Sequence, residues 1–204
     1  MSQKNTEIEA KYMVHSLQPV EERLQALNAK LVESRGFEYN LRYDDAKGRL
    51  TDGRRVLRLR KFHDARLTYK GPSEVQGNTL ARSEIEVVVS DFDNTRLILE
   101  ALGYRVNGIY EKYRAMYEHK GNLITLDELP YGLFVEVEGE SPQNVADTAS
   151  VLGLDPTKAI PASYQGIFES LRALHAPHLQ SLTFSQFQKT PLHASLLGFP
   201  WADE

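Results

Sequence analysis

Residues 7–11 read Glu7-Ile8-Glu9-Ala10-Lys11, two acids and a base alternating with apolar residues. A strand points successive side chains to opposite faces, so Glu7, Glu9 and Lys11 share one face and Ile8 and Ala10 the other. Two neighbouring carboxylates repel unless positive charge lies between them. A hard divalent cation such as Mg²⁺ or Mn²⁺, which takes oxygen ligands, suits that place. Lys11 would then face whatever anion the cation carries.

The same alternation recurs downstream. Arg58 and Arg60 share a face, as do Arg66, Thr68 and Lys70, then Arg82, Glu84 and Glu86. Lys112 and Arg114 share one, as do Thr125 and Asp127, and Glu136 and Glu138. The opposite faces carry Leu57 and Leu59, Leu67 and Tyr69, Ile85, Val87 and Val89, and Val135 and Val137. An antiparallel sheet with one solvated side would show this too. Here, however, threonine, serine and glutamine are scarce among the ionic positions, and the apolar faces are continuous enough to need covering. If helices cover the apolar faces from outside, the ionic faces point inward, into a lumen that a closed sheet of about eight strands can hold.

Strands are expected at 5–14, 36–44, 56–62, 65–70, 80–89, 104–117, 122–128 and 133–139. Helices are expected at 19–31, from Asp91 or Asp93 to Leu102, from Ser141-Pro142 to near Gly153, and over 163–174. Turns fall at 45–55, Gly71-Pro72, Gly77-Asn78, Lys120-Gly121 and Pro130-Tyr131-Gly132. The expected fold is α+β, an eight-stranded antiparallel β-barrel with helices packed outside, over residues 1–174. From His175 onward prolines mix with apolar residues without a period. Residues 175–204 are therefore read as a C-terminal extension that packs along the domain, caps one end or contacts a partner.

Composition narrows the classes of function. The chain has 204 residues, 41% hydrophobic and 25% charged, enough for one substantial core. It has no cysteine, which excludes disulfides, thiolate metal sites and cysteine nucleophiles. The start lacks a secretory apolar segment and no apolar run would span a bilayer, so the expected location is the cytoplasm, with no membrane partner. A net charge of −4 argues against nucleic-acid binding. The glycines of residues 48–55 imitate a phosphate-binding loop but lack its lysine and following hydroxyl, so they read as a hairpin turn. The six histidines show no metal-ligand spacing.

The lumen so read would hold the acids Glu7, Glu9, Glu84, Glu86, Asp127, Glu136 and Glu138. It would also hold the bases Lys11, Arg58, Arg60, Lys70, Arg82, Lys112 and Arg114. Burying these without partners would be prohibitive. Guanidinium and ammonium groups match phosphate oxygens, and clustered carboxylates match divalent metals, so a metal-bound polyphosphate satisfies both.

Residues 7–11 resemble the ExExK signature of the CYTH superfamily, the triphosphate tunnel metalloenzymes. The resemblance continues in order through Arg42-Tyr43-Asp44, Leu57-Arg58-Leu59-Arg60, Thr68-Tyr69-Lys70-Gly71-Pro72 and Arg82-Ser83-Glu84-Ile85-Glu86. It extends through Glu111-Lys112-Tyr113-Arg114, residues 126–138 and Ser163-Tyr164. It implies an eight-stranded tunnel acting on triphosphates with Mg²⁺ or Mn²⁺. By that likeness Glu7, Glu9, Asp127, Glu136 and Glu138 would bind metal, and Lys11, Arg58, Arg60, Lys70, Arg82, Lys112 and Arg114 the triphosphate. Glu9, Lys11 and Asp127 would be catalytic. Arg42 departs from the family's tyrosine-containing element, and its role is open. The family contains triphosphatases and class IV adenylate cyclases. Hydrolysis of tripolyphosphate or thiamine triphosphate is the first expectation, conversion of ATP to cyclic AMP the alternative, and a non-catalytic polyphosphate-binding module the third. The expected partner is a small-molecule triphosphate, on a monomer or homodimer.

Overall fold

A computed structural model of the chain describes residues 6–76 and 79–204. Residue 5 of the first expected strand and the Gly77-Asn78 loop lie outside the described residues. In chain order the elements are β1 (Thr6–Val14), α1 (Gln18–Ala26), β2 (Lys30–Asp44), α2 (Arg49–Asp52), β3 (Val56–Lys61) and β4 (Ala65–Lys70). There follow β5 (Glu74–Gln76), β6 (Thr79–Val89), α3 (Phe92–Ala101), β7 (Arg105–His119), β8 (Asn122–Leu129) and β9 (Gly132–Gly139). The chain ends with α4 (Pro142–Val151), α5 (Tyr164–His175) and α6 (Phe184–Lys189), with 3₁₀ turns at Pro156–Lys158 and Ala194–Leu197.

The strands form one antiparallel sheet in the order β1-β9-β8-β7-β2-β3-β4-β6, and β1 pairs again with β6, so eight strands close in a ring. The ninth strand, β5, is annexed to the start of β6 through Glu74↔Ala81 to Gln76↔Thr79. Closure brings the first strand against the last, with Glu9 opposite Glu138 and Lys11 opposite Glu136.

Helices lie outside because the apolar residues of each strand face outward. Ala10, Tyr12, Val135, Val137, Ile124 and Leu126 form one core with Val20 and Leu24 of α1 and Val145, Ala149 and Leu152 of α4. Leu41, Tyr43 and Leu59 form a second with Leu99 of α3. Each fully buried aliphatic side chain contributes roughly 1.5–3 kcal/mol. Three helices begin where a side chain satisfies an amide that the helix leaves unbonded. Asp91 accepts from the Asn94 amide, Ser141 from Asn144 and Ser163 from Gly166.

Three local expectations change. The first helix stops at Ala26 rather than Leu31. Asn28 adopts φ 53°, and the chain enters β2 at Lys30, where Lys30 and Leu31 pair with Glu118 and Tyr117. Leucines at helical spacing there yield to a strand ladder that begins six residues earlier than expected. The turn at 45–55 contains the short helix α2, and β5 was not expected. Residues 175–204 pack along the domain. Leu179, Leu182, Phe187 and Ala194 pack with Phe134, Tyr131, Ile167, Phe168 and Leu171, Ala202 donates its amide to the Met13 carbonyl, and Trp201 stacks on His15. Among the described residues no helix is long and apolar enough to cross a membrane.

Candidate active site

The ring encloses a cavity of about 470 Å³, within the size range of small-molecule sites, roughly 300–1,000 Å³. Its wall includes Glu7, Glu9, Lys11, Arg58, Arg60, Lys70, Arg82, Lys112, Arg114, Glu136 and Glu138. The alternation rule thus brought these charges together. Asp127 does not line the open cavity and is fully buried.

Asp127 is a structural hub. Arg114 grips it with two nitrogens, Nε to Oδ1 at 2.6 Å and Nη2 to Oδ2. Lys112 Nζ lies 3.2 Å and Tyr164 Oη 2.7 Å from Oδ2, both donating to it. The Tyr164 ring in turn lies under two ammonium groups, 4.3 Å from Lys11 Nζ and 5.0 Å from Lys112 Nζ. Glu136 accepts from Lys11 and from Arg114. Burial pushes its carboxyl upward, but Lys11, Arg114 and Lys112 outweigh burial and hold it well below the ordinary range.

Next to this hub lies a second acidic group. Lys70 donates to both oxygens of Glu7 at 2.8 Å, Arg82 Nε to Glu7 at 3.0 Å, and Lys70 lies 2.9 Å from Glu84. Glu9 has weaker company, with Arg82 at 3.5 Å and Lys11 at 3.9 Å. Glu138 has no ion pair or hydrogen bond among the described residues, and it faces Glu9 directly across the β1–β9 ladder. Burial, then the charges of Glu7, Glu9 and Glu84, raise its carboxyl to about 7 against the pull of Lys70.

The basic residues gather on the other side. Arg42 of β2 faces Arg58 of β3 directly. Arg58 donates to Tyr110 Oη at 3.2 Å and Thr68 Oγ1 at 3.3 Å. The buried Nε atoms of Arg58 and Arg60 have no partner among the described residues. Glu38, wholly buried, lies 3.5 Å from Lys112 and 3.7 Å from Arg60. Burial raises its carboxyl, but Lys112, Arg114, Arg58 and Arg60 bring it down to about 2. In the ring order the β1–β9 pair lies half-way round from β2–β3. An acid–acid pair, Glu9 with Glu138, therefore stands across the lumen from a base–base pair, Arg42 with Arg58. Directly opposed like charges destabilise a ladder.

Sequence reasoning missed Tyr110 as a wall residue and Glu38 as the buried acid that meets Lys112 and Arg60. Alternation carried along β2 and β7 would have found both, because Glu38, Asn40 and Arg42 share a face, as do Tyr110, Lys112 and Arg114.

Among the described residues no three acids or histidines converge as a ready-made metal cage. Glu9 and Glu138 nonetheless suit a divalent cation. Glu138 has no paired base among the described residues and Glu9 only the longer contacts to Arg82 and Lys11, and Mg²⁺ is commonly held by one or two carboxylates with phosphate and water completing its shell. Glu136 and Asp127 suit one less well, since Lys11, Arg114, Lys112 and Tyr164 already occupy them.

Residues 5–164 match the CYTH domain family. The protein MJ0240 of Methanocaldococcus jannaschii, named "Putative adenylate cyclase", is 27% identical over 134 residues, 65% of this chain and 75% of that one. A solved structure from Vibrio parahaemolyticus, described in the same terms, has a TM-score of 0.74 at 22% identity, over 82% of this chain and 99% of that one. The Hippeastrum protein HpAC1, described as a "Putative adenylyl cyclase" that reveals a dominant triphosphatase activity, has a TM-score of 0.61 at 20% identity, over 85% of this chain and 100% of that one.

Proposed function

The chain belongs to the CYTH family, and on that premise we propose that it is a metal-dependent enzyme that hydrolyses a phosphoanhydride bond of inorganic or organic triphosphates, such as tripolyphosphate or thiamine triphosphate. The observation that carries the reading is the pair of like-charged contacts on opposite walls, Glu9 with Glu138 and Arg42 with Arg58. A ligand with cationic and polyanionic parts relieves both at once. A neutral ligand relieves neither.

In this reading Glu9 and Glu138, with Glu7 beside them, hold Mg²⁺ or Mn²⁺. When bound, the cation neutralises charge on phosphoryl oxygens and makes a water molecule more acidic. Arg58, Arg60, Lys70, Arg82 and Lys112 bind the phosphate oxygens, and their fixed N–H donors meet the charge that builds during transfer. Lys11 is oriented by Glu136 and the Tyr164 ring, so its ammonium faces the bound chain without searching rotamers. Arg114 and Asp127 act through the others by fixing Lys112 and Tyr164. The two ions of that core pair neutralise each other and leave the remaining bases for substrate.

Conversion of ATP to cyclic AMP is the second reading, favoured by the descriptions given to MJ0240 and the Vibrio parahaemolyticus protein. There the ribose 3′-hydroxyl attacks the α-phosphorus and pyrophosphate leaves. The deciding experiment offers tripolyphosphate, thiamine triphosphate and ATP with Mg²⁺ or Mn²⁺ to the wild type and to Glu9→Gln. Metal-dependent phosphate release that Glu9→Gln abolishes is the expected result. Cyclic AMP and pyrophosphate from ATP with no phosphate release would replace hydrolysis by cyclisation. Binding without any product would leave a polyphosphate-binding module.

A further inference from the structure

Two polar groups of the cavity wall stand beside the bases assigned to the phosphates, Arg42 of β2, next to Arg58, and Gln165 in the first turn of α5. Gln165 donates its Nε2 to Glu169 Oε1 at 2.8 Å. That bond fixes the amide orientation, because a flipped amide would set oxygen against carboxylate. Its Oε1 is then a buried acceptor with no donor among the described residues. Such an atom costs stability unless something donates to it.

Arg42 complements it. Its guanidinium, on the cavity wall, has no hydrogen bond or ion pair among the described residues, and Arg58 stands opposite. On the side of Arg42 away from Arg58 lies its other cross-strand partner, Gly108, between Arg42 and Gln165. A Cβ at Gly108 would touch Arg42 Cβ at 3.6 Å, Arg42 Cδ at 3.8 Å and Gln165 Oε1 at 3.8 Å. The glycine thus leaves a gap with a row of donors on one side and an acceptor on the other.

We propose that the gap between Arg42 and Gln165, floored by Gly108, reads the base of an organic triphosphate, selecting one that carries an amino group beside a ring nitrogen acceptor. The amino N–H donates to Gln165 Oε1, and the ring nitrogen accepts from Arg42. A second phosphate group fits this place poorly, because its oxygens would crowd the Gln165 oxygen. A base with a keto group beside a ring N–H reverses both bonds, setting acceptor against acceptor and donor against donor. The inference rests on reading the lumen as a triphosphate site and specifies the class of triphosphate.

The test measures equilibrium binding by calorimetry in EDTA, so that turnover does not intervene. The probes are ATP against inosine triphosphate, CTP against UTP, and tripolyphosphate. The expected result is that the wild type binds ATP and CTP about tenfold or more tighter than their keto counterparts, and that Gln165→Leu loses the preference. If Gln165→Leu does not fold, Gly108→Val, which fills the gap from the opposite side, must lose it instead. Equal affinities for amino and keto bases in the wild type would overturn the proposal. So would a preference that survives a folded variant. Tripolyphosphate bound as tightly as ATP, or no binding of any probe, overturns it, while the hydrolase reading, which needs the metal, stands or falls separately on metal-dependent phosphate release.

Discussion

Replacing Glu138 by glutamine should stabilise the metal-free protein, and it should do so only above the acidic range. The Glu138 carboxyl titrates at about 7 in the fold against an ordinary value of 4.5. At about 1.4 kcal/mol per pH unit that difference is ~3 kcal/mol against the ionised form. The site opens to solvent, so screening reduces the figure to about 1.5 kcal/mol. The sign follows from proton counting. Between pH 4.5 and 7 the folded chain holds a proton on Glu138 that the unfolded chain has released. The stability that this proton carries is complete below the unfolded value, falls as pH rises, and is gone once pH exceeds 7. Glutamine mimics the protonated form at every pH. At pH 8 in EDTA, Glu138→Gln should therefore melt about 3–6 °C above the wild type by calorimetry, with the gap closing towards pH 4.5. Addition of Mn²⁺ with tripolyphosphate should raise the wild-type midpoint and raise that of the variant less. A variant that melts at or below the wild type at pH 8 in EDTA would refute the view that Glu9 and Glu138 face each other without a cation of their own.

The opposite wall makes a matching forecast, for Arg42→Met relieves the Arg42–Arg58 contact. It should raise the unfolding free energy of the ligand-free protein by about 0.5–1 kcal/mol and weaken ATP binding, measured by denaturant titration and calorimetry. Arg114→Leu should do the reverse. It leaves Asp127 and Glu136 buried short of a partner, and a loss of about 3–5 kcal/mol is expected in urea unfolding. Arg60→Ala should lower kcat/KM for the preferred triphosphate about 10²–10³-fold in steady-state kinetics. Phe187→Ala should cost about 3–5 kcal/mol, because this C-terminal side chain is buried against Tyr131 and Phe168, and unchanged thermal stability would show residues 175–204 to be dispensable.

The ionic lumen was legible because alternation is a local property of a strand. Knowing that Arg58 and Arg60 share a face requires only their spacing, and the covering helices then decide which face is inside. The end of the first helix was less legible, since Leu24, Leu27 and Leu31 fit a helix while the partner that draws Lys30 and Leu31 into β2 lies at Tyr117 and Glu118, far along the chain. The C-terminal stretch was illegible for a related reason. Its apolar residues have no period because they fill gaps against Phe134 and α5 rather than lining one face of an element.

Residue type and face also fail to separate carboxylates that do different work. Asp127, Glu136 and Glu138 all point into the ring from neighbouring strands, and by resemblance all three would bind metal. Their partners divide them. Arg114 and Lys112 meet Asp127, and Lys11 and Arg114 meet Glu136, whereas Glu138 meets Glu9. The register of a closing ladder makes that difference, and a slip of two residues between β1 and β9 would set Glu138 opposite Lys11 instead of Glu9. A carboxylate that already holds two bases gains little from a cation, and one that faces another acid gains a great deal. Metal affinity should therefore fall much further in Glu138→Gln than in Asp127→Asn, while stability should fall much further in Asp127→Asn. Manganese titration alongside urea unfolding of both variants measures the two orders, and the same order in both measurements would show that the acids share a single role.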